Sequence, residues 1–172
     1  DICGGCKWQD LPYEEQLEYK RQQVKDNLER IAKVNLPEIP PTLSSPYTRY
    51  YRNKMEYTFS NYRWLTKEEI KFPSEHKEYR GVGLFIPGRW DKIVDIEHCY
   101  LQKEPSNRIR LAVKHFAIKN GYRFFDLKKQ QGLLRNMIIR TSTAGEVMVI
   151  LVFGEDDPPV RNHILDFVHT EF

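Results

Sequence analysis

Cysteine is scarce in this chain: Cys3, Cys6 and Cys99 are the three in 172 residues. An odd set spread this widely is no disulfide scaffold, and in a reducing compartment it reads as a metal or cluster site. An excess of one charge is also missing. The 27 Lys and Arg against 24 Asp and Glu leave a formal +3, which permits a polyanionic partner without demanding one. No apolar run reaches the roughly 18 residues of a spanning helix, and no basic-then-apolar leader opens the chain. The expectation is a soluble, cytoplasmic protein. The start at Asp1-Ile2-Cys3, without an initiator Met, reads as a piece of something longer. Internal repeats and low-complexity tracts are absent. So is the strand–helix alternation of a parallel nucleotide-binding sheet. Gly81, Gly83 and Gly88 have the wrong spacing for a cofactor loop.

What is present is globular, with 40% hydrophobic and 13% aromatic residues. Tyr13, Leu17, Val24, Leu28 and Ile31 recur at helical spacing and predict a packing helix over 12–33, with Asp10 near its N-cap and Pro12 in its first turn. Residues 36–46 form a Pro/Ser-rich linker. Alternation predicts a strand over 50–61, with Arg52, Lys54, Glu56 and Thr58 on one face and Asn53, Met55, Tyr57 and Phe59 on the other. A charged loop is expected over 64–79. Residues 82–86 and 93–96 flank Pro87-Gly88-Arg89-Trp90-Asp91 as a wide-turned hairpin. A second helix over 105–119, with Ile109, Val113, Phe116 and Ala117 as its apolar side, stops at Asn120-Gly121. A second hairpin pairs 133–142 with 147–153 around Thr143-Ala144-Gly145. Asp157-Pro158-Pro159 opens a last helix carrying Ile164, Phe167 and Val168. The sum is an α+β fold, an antiparallel sheet of hairpins with packing helices.

Three motifs carry chemistry. In Cys3-Gly4-Gly5-Cys6 two thiolates can grip one soft metal centre while the glycines relieve backbone crowding. Alone, the spacing leaves zinc, redox and iron–sulfur roles open. A redox pair is disfavoured because no strand precedes it. Zinc would need Cys99 and a further ligand, for which neighbouring His98 is a weak candidate. In Tyr51-Arg52-Asn53-Lys54-Met55-Glu56, alternation spaces Arg52, Lys54 and Glu56 about 6.5–7 Å apart. Arg and Lys pair with phosphates, Glu or Asn can read a base edge, and Tyr50 and Tyr51 can stack on unpaired bases. An ordinary exposed strand of mixed charge would look the same. Glu56 stands out, because a carboxylate is poor for generic phosphate binding and suits a specific hydrogen bond. Gly132-Leu133-Leu134-Arg135-Asn136 adds Arg135, evenly balanced between RNA contact and plain surface. Arg140 reads as hairpin surface.

Together these segments resemble the 23S rRNA (uracil-5-)-methyltransferase family. The likeness is carried by Cys3-Gly4-Gly5-Cys6-Lys7-Trp8-Gln9, Tyr51-Arg52-Asn53-Lys54-Met55-Glu56-Tyr57, Asp95-Ile96-Glu97-His98-Cys99-Tyr100-Leu101-Gln102 and Gly132-Leu133-Leu134-Arg135-Asn136. It runs from the first residues to about 153. The resemblance implies an iron–sulfur segment with helix over 1–35 and a central RNA-recognition domain over 36–172. It implies a 4Fe–4S cluster held by four cysteines. Cys3, Cys6 and Cys99 match three of them and the fourth lies before Asp1, so the cluster is expected to be incomplete or absent in these residues alone. It also implies S-adenosylmethionine-dependent methylation of uridine C5, with ribosomal RNA as the expected target and transfer RNA as the alternative. That reaction needs a thiolate adding to C6, a base for the C5 proton and a flipped-out uridine. With all three cysteines matched to the cluster and no cofactor loop, the catalytic domain is expected beyond 172, and these residues alone are expected to be inactive. The competing readings are a free-standing RNA-binding module and a zinc-stabilised interaction domain.

Overall fold

The computed structural model describes residues 2–72 and 77–172, and the chain divides into two compact units. The first, Cys6–Thr48, is built on α1 (Tyr13–Asp26), which continues into one π-helical turn, Asn27–Ile31. The helix expected over 12–33 therefore forms. Its N-cap is Pro12 and no side chain caps it, so Asp10 does not serve there. Instead the Gln16 amide donates to the carbonyls of Trp8 and Leu11 at 3.1 and 2.9 Å. The proline-rich stretch is no free linker. Thr42 Oγ1 donates to the Leu17 carbonyl at 2.9 Å, and the Ser45 amide to the Tyr13 hydroxyl at 2.8 Å. The unit boundary consequently falls at 48–49 rather than at 35–36. No residue of α1 is fully buried, and Val24 and Ile31 remain 49% and 76% exposed.

The second unit, Ile2–Gly5 with Arg49–Phe172, holds β1 (Lys54–Ser60), α2 (Lys67–Lys71), β2 (Gly81–Phe85), β3 (Ile93–Asp95), α3 (Ser106–Lys119), β4 (Leu134–Thr141), β5 (Val147–Phe153) and α4 (Pro158–Glu171). The five strands form one antiparallel sheet in the order β3-β2-β1-β4-β5, so the α+β expectation holds. Both predicted hairpins are present. Gly145 at φ +90° and Gly121 at φ +69° supply the left-handed positions at the second turn and at the end of α3. Asp157 caps α4 by accepting from the Val160 amide at 3.2 Å.

Met55, Tyr57, Phe59, Val82, Met137 and Ile139 are buried on one sheet face, and α3 packs there through Ile109, Val113 and Ala117. Phe116 turns aside to stack on Phe167 of α4, ring centroids 4.0 Å apart. Close approach explains one glycine: a Cβ on Gly83 would fall 1.8 Å from the Val94 carbonyl oxygen.

The charged segment over 64–79 is not wholly loop. Thr66 and Glu69 form a reciprocal capping box that starts α2, while residues 73–76 lie outside the described residues. Glu69 also takes a two-pronged ion pair from Arg63, at 2.5 and 3.1 Å. Those Arg63 bonds, and next the Thr66 amide, hold its carboxyl down at about 2. A depressed carboxylate stabilises the fold above its ordinary value of 4.5 and loses that contribution as pH falls through about 2. Glu69→Gln is therefore expected to cost about 1 kcal/mol at pH 7. Urea unfolding at pH 7, 4 and 2.5 should show the gap to the parent closing with acid.

Candidate nucleic-acid interface

The strand predicted from 50 begins at Lys54, because the preceding residues pair elsewhere. The amides of Tyr50 and Arg52 donate to the carbonyls of Tyr100 and Leu101 at 2.7 and 2.8 Å, which zips this entry segment against the loop after β3. Tyr50 adopts φ +57°, a left-handed backbone that a tyrosine takes only when its surroundings hold it. Its hydroxyl bonds His98 Nε2 at 3.0 Å, His98 packs on Tyr100 at 4.5 Å, and the Arg49 guanidinium lies 4.9 Å from the centre of the Tyr100 ring. Tyr51 is 62% exposed beside this cluster in sequence. Arginines interleaved with exposed aromatic rings suit unpaired bases and their phosphates.

From Lys54 the alternation is as expected, with Lys54 and Glu56 exposed and Met55 and Tyr57 buried. Arg52 departs from that row. It lies before the strand and its Nη1 turns to the Met55 sulfur at 3.9 Å. Asn53 is exposed, and its carbonyl accepts from the Thr141 amide at 2.9 Å. Thr58 is buried, not open, and its hydroxyl accepts from Asn136 at 3.3 Å. The neighbours that sequence reasoning missed come from pairing. Lys54 stands opposite Arg140 and then Met148, and Glu56 opposite Ile138 and then Ile150. Directly opposite residues share a face. Arg140, read as plain hairpin surface, thus becomes the second cation beside Lys54. Met148 and Ile150, 57% and 40% exposed, extend an apolar platform next to them. Arg135 is exposed, with its guanidinium 5.1 Å from the centre of the Phe125 ring.

Cys3 and Cys99 belong to the second unit and Cys6 to the first. Among the described residues no group of three or more His, Cys, Asp or Glu side chains is arranged to hold a metal ion. The Cys3 segment is anchored on β2: the Gly4 amide donates to the Phe85 carbonyl at 2.9 Å, and a Cβ on Gly4 would meet that oxygen at 2.5 Å. His98, weighed as a zinc ligand, is instead bonded to Tyr50. Cys99 is buried, and Asn107 grips its main chain on both sides, accepting from the amide at 2.8 Å and donating to the carbonyl at 3.1 Å.

Behind Cys99 lies a residue to which the sequence drew no attention. Arg110 is wholly buried on α3. It donates to the carbonyls of Val82, Ile96 and Glu97 and to Asn107 Oδ1. Its Nε has no partner, and among the described residues no carboxylate forms an ion pair with it. Burial pulls the guanidinium's pKa down and pushes the Tyr57 hydroxyl's up. The Tyr57 ring lies 5.2 Å from the guanidinium.

No protein-family model matches the chain. It is 54% identical over 174 residues to a protein of Bacteroides thetaiotaomicron named an uncharacterized RNA methyltransferase, covering 99% of this chain and 38% of the relative. A Porphyromonas gingivalis protein of the same description is 46% identical over 178 residues, with the same coverage. Among solved structures, the tRNA (uracil-54, C5)-methyltransferase of Pyrococcus abyssi, in complex with S-adenosyl-L-homocysteine, matches with a TM-score of 0.64 and 29% identity, over 95% of this chain and 34% of that one. The relatives are thus RNA methyltransferases, in agreement with the resemblance at that level, and the chain spans a little over a third of their length.

Arg110 generates the prediction here. Arg110→Met removes the donors of three main-chain carbonyls, so unfolding should become easier by about 3 kcal/mol. Arg110→Lys, which cannot reach all of them, should recover less than half of the loss, read by urea denaturation.

Proposed function

We propose that this chain is the RNA-recognition part of an S-adenosylmethionine-dependent RNA uridine-C5 methyltransferase. The observation that carries the reading is the exposed Lys54–Arg140 pair with exposed Glu56 on the sheet, together with the Arg49–Tyr100–His98–Tyr50 cluster at the entry to β1. Two adjacent cations fix phosphates, rings take bases, and one carboxylate supplies a directional hydrogen bond. Within the proposed interface Arg52, Asn53, Lys54, Glu56, Tyr51 and Arg135 keep their expected part, joined by Arg49, Tyr100 and Arg140. The solved neighbour's title supports uridine C5 as the acceptor and S-adenosylmethionine as the donor. The family resemblance favours ribosomal RNA, whereas that neighbour acts on tRNA. Methyl transfer itself is assigned to polypeptide outside these 172 residues.

The reading includes a 4Fe–4S cluster in the intact protein, with Cys3, Cys6 and Cys99 as three of its four thiolates. What supports this part of the reading is the chemistry of the residues: Cys3 and Cys99 carry free thiols, and Arg110 is a buried guanidinium whose Nε has no hydrogen-bond partner among the described residues. Such a cluster would supply a structural cross-link, since uridine methylation transfers no electrons.

In the intact protein, Lys54→Ala with Arg140→Ala should weaken RNA binding about tenfold and lower the salt slope by about 1–1.5. Unchanged affinity and slope would refute the interface. Methylation assays with ribosomal and transfer RNA, scored by which transcript gains 5-methyluridine, decide the target. Protein purified without oxygen should contain iron and sulfide in equal amounts. Zinc in their place, or neither, would remove the cluster.

A further inference from the structure

At the far end of β1 from Lys54 the structure holds a second cationic feature, a cavity of about 370 Å³ within the second unit. Three elements build it: the end of β1 at Ser60, Asn61 and Tyr62, the turn before β3 at Asp91 and Lys92, and the loop before β4 at 126–129. Three lysines line it, Lys92, Lys128 and Lys129.

Its two carboxylates do not cancel them. Asp91 is taken by the Arg89 guanidinium at 2.8 and 3.0 Å, with Lys128 further off at 3.4 Å. Asp126 accepts the backbone amides of Lys128 and Lys129, both at 2.9 Å, and the Asn61 amide at 3.2 Å. Counting Arg89, four cations face two carboxylates that are already hydrogen-bonded, a local excess of two positive charges. The loop is also preformed. The same Asp126 bonds, with its own amide donating to the Gln131 carbonyl at 2.8 Å and Gln130 at φ +55°, hold both lysines on one tight turn. The lining is not wholly cationic: the Tyr62 ring, 5.3 Å from the Lys92 ammonium, and the polar residues Ser60 and Asn61 also border it.

A bare anion would leave most of this space empty, since cavities of about 300 Å³ and more suit a small organic molecule. A phosphate joined to a sugar and base fits a lining that holds both lysines and an aromatic ring with polar neighbours. We infer that this cavity is a nucleotide subsite, which takes one phosphodiester-linked residue of single-stranded RNA with its phosphate on Lys128 and Lys129 and its base or sugar against Tyr62 and Asn61. The inference rests on the RNA reading above and adds a second anchor. The seven residues of β1 put about 20 Å between the two, so the bound strand runs past the sheet and does not touch it at one point only.

The test uses the intact protein and a single-stranded oligouridylate RNA. Lysine acetylation read by mass spectrometry should show Lys128 and Lys129 protected several-fold when RNA is bound. Lys128→Ala with Lys129→Ala should weaken binding about tenfold and flatten the salt slope by about 0.7, one phosphate contact on a single strand. Lys128→Arg with Lys129→Arg should restore both. Tyr62→Ala should weaken binding about tenfold without changing the slope. If Lys54→Ala with Arg140→Ala weakens binding while the loop lysines stay reactive and their removal changes nothing, the subsite is refuted and the sheet interface stands. If the intact protein has no affinity for RNA, both fall together.

Discussion

The second unit is organised around one buried cation. Arg110 reaches from α3 across to the main chain of β2 and of the segment that leaves β3, taking the carbonyls of Val82, Ile96 and Glu97. Those carbonyls lie where β3 ends and regular pairing stops, and the guanidinium supplies each of them a donor. Asn107, one turn earlier on the same helix, takes over at Cys99, and Gln102 spans Ser106 and the Ile139 carbonyl at 2.5 and 3.0 Å. Together they pin the irregular stretch 96–102 against the helix. That stretch in turn receives the backbone of Tyr50 and Arg52. The surface cluster of Arg49, Tyr50, His98 and Tyr100 thus stands on a polar scaffold buried beneath it.

α3 packs on one face of the sheet. On the other parity Lys54, Glu56, Arg140, Met148 and Ile150 are exposed, whereas Thr58 and Ser60 at the far end of β1 are buried. What lies there is neither uniformly polar nor uniformly apolar. Lys54 and Arg140 neighbour Met148, and Glu56 neighbours Ile138 and Ile150. A solvated face would carry fewer large apolar side chains, and a core face would carry no cations. The mixture fits a surface that meets a nucleic acid through both its phosphates and its bases.

Relatives named as RNA methyltransferases extend well beyond the matched region, as does the solved neighbour. In the proposed division of labour, these residues contribute position rather than bond-making. On that proposal, a sheet with a cationic pair at one end and a lysine-lined cavity at the other holds a strand in register.

The elements of this fold were readable from local pattern. Period-two alternation put Met55, Tyr57 and Phe59 together on one strand face, and Asn120-Gly121 and Asp157-Pro158 marked helix ends, because these depend on neighbours in sequence. The short helix at Lys67–Lys71 escaped notice because its charge outweighed a capping box visible in Thr66 and Glu69. What tertiary structure alone decided was pairing and compensation. Arg140 becomes a partner of Lys54 only through strand register, and Arg52 leaves the row because its backbone is claimed by Leu101. Arg110 is ordinary as a helical arginine in sequence and structural once buried, since its partners are main-chain carbonyls that carry no side-chain signature. Sequence determined which residues could bear charge or sulfur. Only the fold determined which of them share a surface, because contact between distant positions is set by packing and not by spacing along the chain.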